Sequence, residues 1–196
     1  RFSLYASLRA RSEPRGDQVP LVTAWKTAQN DTRRVMRRLS KDNTKQFGRQ
    51  LAKASHAHPL AVFDAIVGQI EAYENLIVPV VEMLRWLTPL SFDCLAFVLV
   101  TNLASGRSRL KEDGLNVSHW LQSLASFCAA LYRRHLSVEL VGLLRYLANA
   151  LKAGQSTQLL LLRELMHKMA AVDYVEDLSD EQLEAVAGAE ALRVAS

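Results

Sequence analysis

Residues 92–103 read FDCLAFVLVTNL, and Phe92, Leu95, Phe97, Val98, Leu99, Val100 and Leu103 place apolar side chains nearly all the way round a helical wheel. A helix that is apolar on every side is one buried between neighbours, not one lying on a surface. This segment is therefore expected to be the central helix of the fold. The flanking sequence repeats the helical signal with one-sided patterns. Upstream, Phe63, Ile66, Val67, Ile70 and Tyr73 fall at i, i+3, i+4, i+7 and i+10; downstream, Trp120, Leu124, Phe127 and Leu131 form a second stripe. Leu140, Leu143, Leu144, Leu147 and Leu151 form a third, and each set lines one face of a helix.

The breaks between stripes follow backbone chemistry. Pro59, Pro79 and Pro89 suit a helix's first turn and disfavour helix in the preceding residue, so 58–90 reads as two helices with a third starting near Ser91. Gly154 after Lys152 has the place of a glycine just past a helix C-terminus, with Ser156 as the next N-cap. Ser179-Asp180-Glu181-Gln182 has the form of a capping box opening a last short helix. Ser105–Asn116 is the one long polar loop. The expected helices are 2–11, 20–39, 43–55, 59–73, 75–87, 91–104, 117–134, 137–153, 156–170 and 180–187.

Composition agrees. The 196 residues include only 8 Gly and 5 Pro, too few for the frequent turns of a β-sandwich or barrel. With no candidate strand, the chain reads as all-α. Short loops make sequential helices pack antiparallel, and helix pairs of this length are the unit of HEAT-like solenoids, although no internal sequence repeat stands out. A closed helical bundle is the other arrangement compatible with these lengths. Cys94 and Cys128 each sit within an apolar helical pattern and read as core thiols in a reducing compartment. Arg1 opens the chain in mid-pattern, with Phe2, Leu4, Tyr5 and Leu8 following; the expectation is a soluble segment of a longer chain, with its end apolar residues covered by the rest.

The search for catalytic patterns is negative. No phosphate-binding glycine loop, dinucleotide fingerprint, zinc-protease helix motif or nucleophile elbow occurs. His56 and His58 flank Ala57 at a helix boundary without Asp, Glu or Cys at ligand spacing, so a structural or surface role is expected of them and not a metal site, while His119, His135 and His167 are isolated among helix residues. Asn30-Asp31-Thr32 and Asn116-Val117-Ser118 match a glycosylation acceptor pattern short enough to arise by chance. The reading is of a non-enzyme with no catalytic residue, metal or cofactor.

Charge is the informative signal. The net +4 divides into 13 Lys/Arg against 4 Asp/Glu over residues 1–55, and 11 against 16 over 56–196. The basic excess peaks at Arg33, Arg34, Arg37, Arg38, Lys41, Lys45, Arg49 and Lys53; the acidic excess runs from Asp173 to Glu190. Arg33, Arg34, Arg37 and Arg38, at i, i+1, i+4 and i+5, share one side of a helix. Such a ridge holds phosphates by charge and bidentate contact, without reading bases. Two readings stand: a solvated face pairing with acidic surface of the parent protein, or a site for nucleic acid or an acidic partner. The acidic end is likewise a solvated face or a dock for a basic partner.

Longer strings carry a family resemblance. The run RLSKDNTKQFGRQLAKASHAHPLAVFDAIVGQIEAYENLIVPVVEMLRWLTPLSFDCLAFVLV (38–100), then HWLQSLASFCAALYRRH (119–135), LVGLLRYLANALKAGQSTQLLLLRELMHKMA (140–170) and LSDEQLEAVAGAEALR (178–193), resembles the central region of the THO complex subunit 2 family. Phe47-Gly48-Arg49 through Pro59 is also similar to MIF4G-type HEAT domains. Ala52 stands where many members carry Gly, and Ser105–Asn116 does not align.

The resemblance implies a right-handed α-solenoid of antiparallel helix pairs in a nuclear scaffold that packages nascent mRNA and couples transcription to export. Its implied partners are other THO complex subunits, a DEAD-box RNA helicase and mRNA, directly or through the assembly; no membrane or small-molecule substrate is expected. The implied layout is N-terminal helices with the basic ridge over 1–40, a MIF4G/HEAT-like core over 41–172, and an acidic C-terminal helix over 173–196. The family supplies no catalytic motif; ATP hydrolysis would belong to the helicase, whose lobes this segment would hold. The second expectation is direct RNA binding through Arg33–Lys53.

Overall fold

A computed structural model describes residues 2–12 and 19–169, and among these the chain is helical with no strand. The helices are α1 (Phe2–Ser12), α2 (Val19–Met36), α3 (Thr44–Ala57), α4 (Pro59–Ala72), α5 (Ile77–Met83), α6 (Pro89–Leu103), α7 (His119–Arg134), α8 (Val141–Lys152) and α9 (Leu159–Met169). Short 3₁₀ turns precede α3, α5 and α9 and follow α5. The expected capping box at 179–182 and the acidic segment lie outside the described residues.

The all-round apolar segment is where it should be. In α6, Leu95, Val98, Leu99 and Leu103 are essentially solvent-free, and Phe92, Cys94, Ala96 and Phe97 are also buried. It shares the core with α4 (Phe63, Ile66, Val67, Ile70) and α7 (Leu121, Leu124, Phe127, Leu131). Each large apolar side chain so buried contributes about 1.5–3 kcal/mol of transfer free energy.

The helices form two ranks. One follows α2, α4, α6 and α8, each packed on the next; the other follows α3, α5, α7 and α9. Contacts of α4 with α3 and α7, of α6 with α7 and of α8 with α9 join them. The interior is the seam between ranks, and α4 and α6 are enclosed by their neighbours on nearly every side. Beside it α1 packs on α6. There Tyr5 is buried, its ring 5.9 Å from Phe97, which corrects the expectation that this residue waits for the rest of the chain to cover it; Leu4 is exposed.

Several boundaries differ from expectation, each for a local reason. Pro89 is the first residue of α6, two residues ahead of Ser91, because Thr88 caps it by accepting the Ser91 backbone N–H at 3.3 Å. The chain leaves α4 at Ala72, so Tyr73 turns out of its stripe and is 56% exposed. A turn in which Val138 N–H donates to His135 O buries Val138 and delays α8 to Val141 rather than 137. Gly154 has φ +79°, and the bonds from Gln155 N–H to Ala150 O and from Gly154 N–H to Leu151 O complete a glycine C-terminal cap. Ser156 is not the next N-cap; it lies inside the 3₁₀ turn Ser156–Gln158 that leads into α9.

Both thiols are in the core. Burial pushes Cys128 up to about 12, and burial followed by the nearby Asp93 charge raises Cys94. Among the described residues no three His, Cys, Asp or Glu side chains are grouped to hold a metal, and no helix is long and apolar enough to cross a membrane.

Candidate functional site

The eight basic residues are all exposed on α2, α3 and the turn between them. α2 ends at Met36, so Arg33 and Arg34 are helical while Arg37 and Arg38 lie in the turn after it. Helical bonding persists there: Arg37 N–H donates to Arg33 O and Arg38 N–H to Val35 O, both at 3.0 Å. Asn43 ties the turn, accepting the Ser40 N–H at 2.8 Å and donating to Arg38 O at 2.7 Å. Val35 and Met36 face inward, which turns the arginines outward.

The structure divides the ridge instead of keeping it whole. Arg34, Arg38 and Lys53 line a cleft of about 600 Å³ between α2 and α3, with Phe47 in its wall and Asp31 as its only carboxylate among the described residues. Arg34 pairs with that carboxylate at 3.8 Å; both are well exposed, so the pair is worth little. Arg33 and Arg37 do not line the cleft. Lys45, Arg49 and Lys53 follow one another at four-residue intervals along α3, with Lys41 in the turn before them. Among the described residues no carboxylate comes within 4 Å of Arg33, Arg37, Arg38, Lys41, Lys45, Arg49 or Lys53.

Arg49 is separated from the cleft and engaged elsewhere. Its guanidinium lies 4.9 Å from the centre of the Trp86 ring, and that of Arg85 lies 4.8 Å from the same ring. Trp86 ends the 3₁₀ turn after α5 and reaches α3 because residue 48 is glycine. A Cβ at Gly48 would overlap Trp86 Cδ1 and approach Met83 O to 2.9 Å. Sequence reasoning missed Arg85 and Trp86. The available signal was a lone glycine inside an otherwise good helix, which marks a close approach.

A second arginine–tryptophan contact holds the polar loop. Arg107 stacks 4.1 Å over Trp120 and binds Glu71 in bidentate fashion at 2.7 and 2.8 Å; the hydrogen bond to Glu71 is the main reason its pKa is raised. Trp120 Nε1–H donates to Ser108 O at 2.9 Å, Ser118 N–H donates to Arg109 O at 2.8 Å, and Leu110 and Val117 form an isolated antiparallel bridge. At the tip, Asp113 accepts from the Leu115 and Asn116 N–H groups and the Asn116 amide, with Gly114 at φ +68°. The side-chain bond from Asn116, then the backbone bonds, hold the Asp113 carboxyl below its usual range. Two of the five histidines have structural partners: His135 Nε2 lies 2.9 Å from Val81 O, and His119 Nδ1 lies near Glu71 O and Ser123 Oγ, while His56 and His58 are exposed.

Residues 51–125, from the middle of α3 into α7, match the family model described as Thoc2, transcription- and export-related complex subunit. The chain is 49% identical over 195 residues, or 98% of its length, to THO complex subunit 2 of Arabidopsis thaliana. The human THO complex subunit 2 is 48% identical over 160 residues, 81% of this chain, and that of Saccharomyces cerevisiae is 26% identical over 167 residues, 85% of it. The resemblance to THO complex subunit 2 is shown. The chain spans about a tenth (10%) of the length of each of these relatives. The matched THO complex subunit 2 region contains Arg85, Trp86, Glu71, Arg107 and Trp120, so both arginine–tryptophan contacts draw on it.

Proposed function

We propose that this chain is a non-catalytic scaffold segment of a THO complex, acting in the nucleus within the assembly that couples transcription to mRNA export. The observation that carries the reading is 49% identity maintained over 98% of the chain to a protein named as a subunit of that complex. In this reading the two ranks of helices are consecutive pairs of a right-handed α-solenoid, with 41–172 as the MIF4G/HEAT-like core between a basic N-terminal part over 1–40 and an acidic helix over 173–196. Its outer faces bind other THO subunits and a DEAD-box RNA helicase. Holding two helicase lobes in one arrangement biases a two-state element by differential affinity, and that needs no catalytic group in the scaffold.

The test is a pull-down of helicase and THO subunits by this chain, with the helicase ATPase rate measured in parallel. The expected result is retention and a changed rate. A chain that retains neither and leaves the rate untouched ends this reading.

A second reading, direct RNA binding through Arg33–Lys53, is favoured by the cations on α2 and α3 that have no carboxylate partner among the described residues. Binding of this kind is salt-dependent and indifferent to sequence. Changing Arg33, Arg34, Arg37 and Arg38 to Glu is expected to abolish retention of single-stranded RNA. Helicase capture should survive unless the ridge is itself that interface.

A further inference from the structure

We propose that Arg49 and Arg85, held together on the indole of Trp86, form a phosphate clamp that receives the backbone of a single-stranded nucleic acid passing along α3. The inference rests on the second reading above and extends it to residues outside the ridge.

Three observations carry it. Both guanidiniums lie within 5 Å of one ring centre, at 4.9 and 4.8 Å, so two cations gather about a single indole. Neither has a carboxylate or hydrogen-bond partner among the described residues, so the planar forks that suit phosphate oxygens stay open at an exposed surface. The indole is fixed as well. Gly48 lets its edge rest on the α3 backbone, and Trp86 Nε1 is buried there with no hydrogen-bond partner among the described residues, so the ring acts as a platform while its N–H is turned away from solvent.

Alignment separates a phosphate chain from a folded acidic protein. Lys45, Arg49 and Lys53 rise along α3 in steps of about 6 Å. That is close to the spacing of successive phosphates in an extended strand. A regular row of cations fits a polymer with one charge per repeat, whereas carboxylates on a folded surface are irregularly placed. Lys53 leads from the clamp into the cleft lined by Arg34 and Arg38, which makes one track of the two halves of the ridge.

The test measures affinity of the 196-residue chain for a fluorescent oligouridylate by anisotropy between about 50 and 200 mM salt. The set comprises wild type, Arg49→Gln, Arg85→Gln, the double variant, the cleft variant Arg34→Gln/Arg38→Gln/Lys53→Gln, and Arg133→Gln on α7 as a control. Circular dichroism and thermal melting check folding, which these exposed residues should not disturb.

For a single strand, each lost phosphate contact lowers the slope of log K against log salt by about 0.7, or about fivefold in affinity at 0.1 M. The expected result is that loss for each clamp variant, about 1.4 in slope for the double, and none for Arg133→Gln. A double variant with unchanged slope and affinity, alongside a weakened cleft variant, overturns the clamp and leaves the second reading standing. Wild type that fails to bind overturns both. Polyglutamate that displaces the RNA at equal charge concentration makes the site a carboxylate-binding protein interface and overturns the phosphate assignment.

Discussion

Two tryptophans in this chain carry arginines, and they are held in opposite electrostatic states. At Trp120 a single guanidinium is neutralised by a two-point bond to Glu71, and the pair closes a loop onto the ends of α4 and α7. At Trp86 two guanidiniums share one ring, and among the described residues no carboxylate answers either. The same contact chemistry therefore serves retention in one place and leaves binding capacity in the other. Beside the closer stack, 4.1 Å against 4.8 and 4.9 Å, the difference is one acidic residue, Glu71.

The largest expected effect lies on the closed side. Trp120→Ala removes a partly buried ring, the stack and the bond to Ser108 O, and should cost about 3 kcal/mol in urea denaturation. A cost under 1 kcal/mol would mean that the loop is held by its other ties. Next, Gly48→Ala drives a methyl into Trp86 and should cost about 2 kcal/mol while weakening any anion affinity of the open side. Glu71→Gln should follow at about 1.5 kcal/mol, because it leaves Arg107 uncompensated over its ring. That variant makes the closed side resemble the open one, so a gain in oligonucleotide affinity is expected with it.

The core has its own signature. Cys128 is held near 12 in the folded state, against roughly 8.5 for a free thiol. A raised folded value means that its contribution is complete below the unfolded pKa and is lost as pH rises between these two values. The decline should reach about 1.4 kcal/mol per pH unit, with Tyr132, raised first by burial, adding in the same direction at higher pH. Cys128→Ala should reduce that slope in pH-dependent denaturation, leaving a pH-independent cost for the lost core sulfur. Smallest of all, Arg49→Gln and Arg85→Gln should each shift stability by less than about 0.5 kcal/mol. A large loss from either would make the open side a structural element like the other.

The fold was legible in the sequence wherever periodicity was long. Stripes in 63–70, 92–103 and 120–131 lie in the core, because a 3.6-residue repeat sustained over several turns has one buried arrangement. Boundaries were less legible, since Tyr73, Val138 and Ser156 depend on which carbonyl accepts the last turn's N–H groups, and short 3₁₀ turns leave no composition signal. The basic ridge was visible as charge, but its division was not. Whether Arg49 meets Arg34 or Trp86 depends on how α5 and its following turn pack on α3, a contact between residues far apart in sequence. The acidic segment from Asp173 lies outside the described residues.

The polar loop that resisted alignment is closed at its neck by the Leu110–Val117 bridge and by the bonds from Ser118 N–H to Arg109 O and Trp120 Nε1–H to Ser108 O. Its tip, by contrast, stands clear, with Leu115 87% exposed and Gly114 in a left-handed turn. A clasped neck isolates the tip from the fold, so extra residues introduced between Gly114 and Leu115 would lengthen a closed excursion without loosening a helix. That makes this turn a graft point: an epitope or fluorophore-bearing peptide inserted there would label the protein without entering a helix.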